Sequence, residues 1–381
     1  MVRLGIDRID EYAQLFTGRR VGLITNPTGL ASSRRSSIDI LMEKCRLTAL
    51  FAPEHGIRGE KQDGSEVETY VDTLTGLSVY SLYKDDRKPS LEDLSGLDVL
   101  CYDIQDVGSR YYTFIYTLAN AMKVASQAGV EVVVLDRPNP VSCLSPSGSR
   151  LQKECASFIG MYDIPQNYAL TIGELAELFN TEEDIGARLH VIPMEGYERR
   201  MFYEDTGLLW VSPSPNLPSV DAAVLYNGTC LFEGTNISEG RGTTHPFENI
   251  GAPYIDSRRW IEEIGRFGID GVYLRPVSFI PQASKYRDEL CNGVYVHILD
   301  RRAFDPLKLG VAMVLSARKL FPDDFRFTAP RHEVGEYTVD LMYGSPLMRK
   351  ENVSVEEVWA DIDENTKRFR DSVWRRYLLY S

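Results

Sequence analysis

Several features are scarce or missing in these 381 residues, and each absence removes a class of function. No C-x-x-C pair occurs. The six cysteines (Cys45, Cys101, Cys143, Cys155, Cys230 and Cys291) lie far apart, so neither a zinc ribbon nor a disulfide framework is signalled, and free thiols in a reducing compartment fit best. The five histidines (His55, His190, His245, His297 and His332) form neither H-x-H nor H-x-x-x-H, so no metal is expected. No apolar run approaches the ~18 residues of a membrane span. Met1 leads straight into the polar Arg3 to Glu11 region without a basic and then apolar leader, so a cytoplasmic protein is expected, or an exported one if the sequence is a trimmed form. Positive charge is in deficit, with a net charge of −13 and Lys and Arg scattered singly or in pairs. Nucleic acid and anionic membrane surfaces both reward clustered cations, so neither is expected as a partner. The dinucleotide fingerprint G-x-G-x-x-G is absent where a first strand would end, as are the Walker pattern and the Gly-x-Ser-x-Gly elbow. Cys101 and Cys230 sit in apolar contexts that suggest inert core thiols.

What the chain does have is a repeated grammar of short apolar strands that end in polar bursts. Arg20 to Thr25 runs into Asn26-Pro-Thr-Gly29, and Leu47 to Ala52 ends in Pro53-Glu-His-Gly-Ile-Arg-Gly-Glu60. Asp98 to Asp103 continues into Ile104-Gln-Asp-Val-Gly-Ser-Arg-Tyr-Tyr-Thr113, and Glu131 to Asp136 into Arg137-Pro-Asn-Pro140. Helical spacing over Ser37 to Lys44 and Phe114 to Gln127 separates these strands, which gives a βαβ rhythm and a parallel sheet. Thr171 with Glu174 reads as a capping box opening a helix to Asn180, which makes Glu174 structural. Leu189 to Ile192 reads as a further strand, Ser212 to Pro218 as a rigid proline-dense loop, and Gly56 to Thr75 as a long loop over the strand ends. After about Pro253 the pattern changes. Strands at Gly271 to Pro276 and Gly293 to Leu299, with helices near Asp256 to Gly265, Pro306 to Phe321 and Ser354 to Tyr380, predict a smaller α+β unit. The expected fold is α/β: a parallel-sheet domain over residues 1–252 and a smaller α+β domain over 253–381.

Ligands of open α/β sheets bind at the carboxyl ends of the strands, and here that end is rich in carboxylates. Glycoside hydrolysis needs such a supply: one protonated acid for the leaving oxygen and a second carboxylate acting on the sugar. The acid must keep its proton near neutral pH, above the ~4.3 of an ordinary glutamate. Glu54, at the end of an apolar strand, is the first candidate, with Glu239 and Glu60 as further catalytic carboxylates. Asn26, His55, Arg58, Asp103, Gln105, Arg110, Arg137, Asn139, Asn216, Glu233, Asn236, Arg241 and Thr244 are the candidate substrate-binding residues. The arginines matter because a guanidinium fork matches a carboxylate.

Six ordered motifs bring a known family into view: Thr25-Asn-Pro-Thr-Gly29, Ala52-Pro-Glu-His-Gly56, Asp103-Ile-Gln-Asp-Val-Gly108, Asp136-Arg-Pro-Asn-Pro140, Pro213-Ser-Pro-Asn216 and Glu233 to Thr244. Together they resemble the exo-β-N-acetylmuramidases of bacterial cell-wall recycling, from about Arg19 to Tyr380. The resemblance implies a Rossmann-like domain over residues 1–252, a smaller domain over 253–381 that closes a cleft against it, no cofactor, a small muropeptide sugar as substrate, and Glu54, Glu233 and Glu239 as the family's acidic positions. Two stretches depart from the family pattern. Val141-Ser-Cys-Leu144 stands in place of a Gly-Gly turn, and Tyr168-Ala-Leu-Thr171 in place of His-Gly-Met-Thr. The competing expectation is a carbohydrate binder that kept the cleft and lost turnover. Whether the anomer is retained or inverted depends on a carboxylate separation, a tertiary quantity, and the sequence carries no signal of oligomeric state.

Overall fold

The computed structural model describes residues 1–54, 56–59, 69–82, 87–330 and 337–381. Two sheets organise them. The first contains β1 (Arg20–Thr25), β2 (Arg46–Ala52), β3 (Tyr70–Val71), β4 (Ser78–Ser81), β5 (Val99–Asp103), β6 (Glu131–Leu135) and β7 (Leu189–Ile192), in the order β3-β4-β2-β1-β5-β6-β7. All its pairings are parallel except β3 with β4. The order reverses direction between β1 and β5, which makes their ends the topological switch point of a Rossmann-like sheet.

Both faces of the sheet are covered, which is why the strands read as continuous apolar runs rather than alternating ones. Along β5 and β6, Leu100, Tyr102, Val132 and Val134 point into one core, and Val99, Cys101, Val133 and Leu135 into the other. The second core is closed by α1 (Ser37–Lys44) and the one-sided 3-10 segment Gly5–Leu15, the first by α2 (Phe114–Ala128) and α3 (Ile172–Glu182). The Thr171 capping box forms: Thr171 N–H donates to Glu174 Oε2 at 2.9 Å and Glu174 N–H to Thr171 Oγ1 at 3.3 Å.

The first core continues without a break into the C-terminal half. There α4 (Val220–Thr229), α5 (Ser257–Gly265), α6 (Pro306–Leu320), α7 (Thr338–Tyr343) and α8 (Val355–Ser372) surround an antiparallel sheet of β8 (Asn249–Ala252), β10 (Cys291–Ile298) and β9 (Val272–Phe279), with β10 in the middle. The sheet pairing thus joins residues 249–252 to the C-terminal half. Three expectations need adjusting. The stretch Gly56 to Thr75, read as a long loop, contains β3, and neither β4 nor α4 was anticipated. The terminal helix stops at Ser372, after which the tail continues with a short 3-10 turn at Trp374–Arg376 and docks through its end: Tyr380 donates its hydroxyl to Asp136, and Leu379 N–H reaches Glu174 Oε1 at 2.8 Å. No helix among the described residues is long and apolar enough to cross a membrane.

Helices α4 and α6 cross in backbone contact. A Cβ on Gly228 would sit 1.7 Å from the Pro306 carbonyl oxygen, and one on Gly310 would sit 2.3 Å from the Gly228 oxygen. Backbone cannot yield as a side chain does, so Gly228→Ala should destabilise the fold by about 3 kcal/mol, the upper end of overpacking costs. Urea denaturation reads this directly, and an unchanged midpoint would show that the crossing is looser than its geometry implies.

Candidate functional site

The switch point is built from three strand ends. Asp103, at the end of β5, is fully buried and takes Arg137 from the end of β6 in a bidentate ion pair, with Nε at 2.6 Å and Nη2 at 2.8 Å. Ser37, at the start of α1, donates its hydroxyl to the same carboxylate, and Thr25 Oγ1 donates to the Asp103 carbonyl oxygen at 2.9 Å. Arg137 also donates to the Leu30 carbonyl at 3.0 Å. Burial disfavours the guanidinium charge, but Asp103 more than offsets this and raises its pKa. Asp103 and Arg137 therefore fix the frame of the site.

One layer out, Asn26 Oδ1 accepts from Thr28 N–H at 3.0 Å and Thr28 Oγ1 at 2.5 Å, and Thr28 Oγ1 accepts from Gln105 N–H at 2.8 Å. Gln105 Nε2 donates to the Asp106 and Pro138 carbonyls at 2.8 and 2.6 Å. Asn139 closes an Asx turn with Val141 N–H at 3.0 Å and donates to the Leu170 carbonyl at 3.0 Å. Two buried polar atoms at this point have no hydrogen-bond partner among the described residues: Asn26 Nδ2 and Asp106 Oδ1. The other Asp106 oxygen accepts from Gly108 N–H at 2.8 Å and from the Tyr168 hydroxyl. Burial pushes the Asp106 carboxyl up to about 6 against the pull of these donors. Burial likewise raises Asp136 to about 7, although Tyr380, Gly173 and Thr171 donate to it. Neither of these two carboxyls was among the expected site residues, because nothing local marks them as desolvated.

Glu54 is half-buried past the end of β2 and accepts from Thr113 Oγ1, the residue before α2, at 3.4 Å. The turn that follows is held close to the β1 loop, since a Cβ on Gly59 would lie 3.0 Å from the Pro27 ring. His55 and Glu60 lie outside the described residues. Arg58 is fastened to Asp72 through Nε and Nη2, at 3.0 to 3.3 Å, and pins the turn that leads to β4.

The acidic loop holds a second set of charged groups. Glu239, 2 % exposed, meets Lys285 Nζ at 2.9 Å and Arg241 Nε at 3.5 Å. Burial would raise its pKa, but Lys285 and Arg241 hold it below the ordinary range, so this carboxylate stays ionised. Glu233 takes Arg241 Nη2 at 2.8 Å, and the Arg241 guanidinium lies 5.1 Å above the Phe247 ring. An aromatic seam then joins the two halves: Phe247 packs on Tyr226 at 4.8 Å and Tyr226 on Tyr112 at 5.9 Å, next to Thr113 and hence Glu54. Asn216 is half-buried in the proline loop and Thr244 is exposed at the rim.

Two expected binders have structural work instead. Arg110 is wholly buried and donates to the carbonyls of Ser149, Ile164 and Met342 at 2.8 to 3.1 Å, which removes its fork from any ligand. Asn236 donates to the Asp324 carbonyl at 2.9 Å and accepts from Tyr254 and from Arg326 N–H at 3.0 and 2.8 Å, so it fastens its loop to the 324–326 turn. A cavity of about 210 Å³ opens beside Thr28, Gln105 and Arg137, walled by Leu30, Arg34 and Leu209. Neither Glu54 nor Glu239 lines it, so it is not the place where those carboxylates meet a ligand.

Fold and site together define the class: a Rossmann-like α/β protein with a carboxylate site at its switch point, joined to a smaller α+β unit. Comparison with known proteins then gives the particular family. The family model "Exo-beta-N-acetylmuramidase NamZ, N-terminal" matches residues 21–221 and its C-terminal counterpart matches residues 224–380, so the chain belongs to the NamZ family. It is 44% identical to peptidoglycan β-N-acetylmuramidase NamZ of Bacillus subtilis, over 100% of this chain and 91% of that protein. Two crystal structures of DUF1343 family proteins from Bacteroides fragilis are similar over 100% of this chain and 99% of theirs. One has a TM-score of 0.88 at 35% identity, the other 0.77 at 27%.

The two departures from the family pattern have a physical reading. Ala169 holds φ at 50° and Ser142 at 140°, conformations that favour glycine, so both stretches keep a glycine-type backbone without the glycine. Tyr168 still supplies a buried donor to Asp106, the same service an imidazole N–H can perform.

A folded-state pKa of about 6 at Asp106 lies above the unfolded ~3.9. The folded protein therefore holds the extra proton between these values, and the stability this gives is present in full below pH ~4 and lost as pH rises to about 6. Asp106→Asn keeps an acceptor for Tyr168 and removes the titration. Its stability relative to wild type should rise from pH 4 to about 6 and then level off in denaturant titrations. A pH-independent difference would mean that Asp106 is ionised throughout.

Proposed function

We propose that this protein is an exo-β-N-acetylmuramidase, a glycoside hydrolase that releases N-acetylmuramic acid from the non-reducing ends of peptidoglycan fragments. The observation that carries the reading is the 44% identity, over the whole chain, to the Bacillus subtilis enzyme of that activity. The site chemistry supports it. Glu239, held ionised between Lys285 and Arg241, is unsuited to donate a proton and suited to oppose positive charge as it develops on the sugar. Glu54 is then the general acid that protonates the leaving oxygen. We assign reading of the lactyl carboxylate to Arg241, where the substrate would share the guanidinium fork with Glu233. All six cysteines are free thiols, which suits a reducing compartment and a pool of imported cell-wall sugars.

The first test is turnover of a chromogenic β-N-acetylmuraminide beside the matching N-acetylglucosaminide. Repeated turnover of the first alone is expected. Equal cleavage of both removes carboxylate recognition, and binding of the first without turnover makes the protein a carbohydrate binder. Arg241→Lys keeps the charge and loses the fork, so KM for the muraminide should rise, and an unchanged KM in a folded variant takes Arg241 out of recognition.

Glu54→Gln should lower kcat on a natural disaccharide by about 10²–10⁴-fold, the usual contribution of a general acid. A nitrophenyl leaving group needs less protonation, so chromogenic hydrolysis should fall far less. Near-wild-type disaccharide turnover by the variant would dismiss Glu54, and Asp106 would become the next carboxyl to test.

A further inference from the structure

The outer face of the small sheet carries a cluster that the proposed reaction does not use. The register pairs Tyr295 with Arg275 and His297 with Tyr273 across β10 and β9, which sets all four side chains on one face. Ring centroids lie 4.5 Å apart for Tyr295 and His297 and 5.9 Å apart for His297 and Tyr273. His245 packs its edge on Tyr295 at 5.1 Å. The Arg275 guanidinium lies 5.2 Å from the Tyr295 ring centre, and its Nε donates to His297 Nε2 at 3.3 Å. Tyr273 is 53% exposed. Arg275 is exposed and has no acidic partner among the described residues.

This face is continuous with the proposed site. His245 and Glu248 lie on the loop that carries Glu239 and Arg241, and Glu248 accepts from the Tyr295 hydroxyl and from Ser219 Oγ at 3.2 Å. The hairpin loop joining β9 to β10 carries Lys285, the cation on Glu239. From the Phe279–Cys291 pair at that loop to the Tyr273–His297 pair is six residues of strand, about 20 Å.

We infer that this aromatic and basic face binds the glycan chain that continues beyond the terminal sugar of a peptidoglycan fragment, an inference that rests on the substrate class proposed above. Flat ring faces remove water from the apolar C–H faces of pyranose rings. The Arg275 fork matches the carboxylates that such a chain repeats along its length. In a protein of net charge −13, a local cation is also what admits an anionic polymer to the surface. The terminal sugar then occupies the carboxylate site while the following sugars lie along β9 and β10.

The test uses calorimetry with peptide-free glycan strands whose terminal bond is a thioglycoside, so that none is cleaved. A disaccharide is too short to span the sheet and an octasaccharide is long enough. Wild type should bind the octasaccharide on the order of tenfold more tightly than the disaccharide, about 1.4 kcal/mol. The double variant Tyr273→Ala, Arg275→Gln should lose that gain while disaccharide affinity and chromogenic kcat/KM stay at wild-type values. No length dependence in wild type, an undiminished gain in the variant, or equal loss for both lengths would each overturn the inference. Tight octasaccharide binding lost in the variant, without turnover of any muraminide, would remove the proposed reaction and leave this surface standing. Turnover without length dependence would do the reverse.

Discussion

The buried ion pair between Asp103 and Arg137 is the constraint on which the site depends. It closes the ends of β5 and β6 on each other and, through Ser37, Thr25 and Leu30, draws in the end of β1 and the start of α1. Both side chains are almost without exposure, 4% for Arg137 and 0% for Asp103. Removal of one partner from such a pair costs ~3–5 kcal/mol, because the survivor is left as an uncompensated buried charge. The pair is therefore less a source of net stability than a device that permits one arrangement of three strand ends. Every side chain of the outer layer, from Asn26 through Gln105 to Asn139, takes its position from that arrangement.

The second organising feature is the seam between the halves. A single apolar core runs from α2 and α3 through α4 into the small sheet, so the two units share an interior rather than touching through a polar joint. The aromatic series Tyr112, Tyr226, Phe247 carries this packing up to the site, where it sets the Glu54 side against the Arg241 and Glu239 side. The tail reinforces it from below: Tyr380 on Asp136 and Leu379 on Glu174 return the last residues to the Rossmann-like sheet. The packing of the two halves is thus a property of the whole chain, and truncation of the terminal residues would expose a carboxyl that burial has raised to about 7.

The carboxylates of the site divide by environment. Glu239 lies between two cations and remains charged, while Asp106 is equally buried without a cation among the described residues and holds its proton to about 6. The difference is one of neighbours, Lys285 and Arg241 for the first, Tyr168 and a backbone N–H for the second.

Sequence by itself determined what is local. The apolar runs became β1, β2, β5 and β6, the capping box formed at Thr171, and the polar bursts fell at one end of a parallel sheet, because strand burial, capping and turn chemistry act over a few residues. Helix α4 escaped notice because it is buried on almost every side and so has no polar stripe to give it a period. Arg110 looked like a carboxylate binder, yet the carbonyls that hold it come from residues 39, 54 and 232 positions away. Lys285 reaches Glu239 across 46 positions and Tyr168 reaches Asp106 across 62. Those partners decide which carboxyl is charged, which arginine is structural and which face is left exposed. Only the tertiary structure could choose them, since desolvation and Coulomb attraction depend on distance in space and are indifferent to distance along the chain.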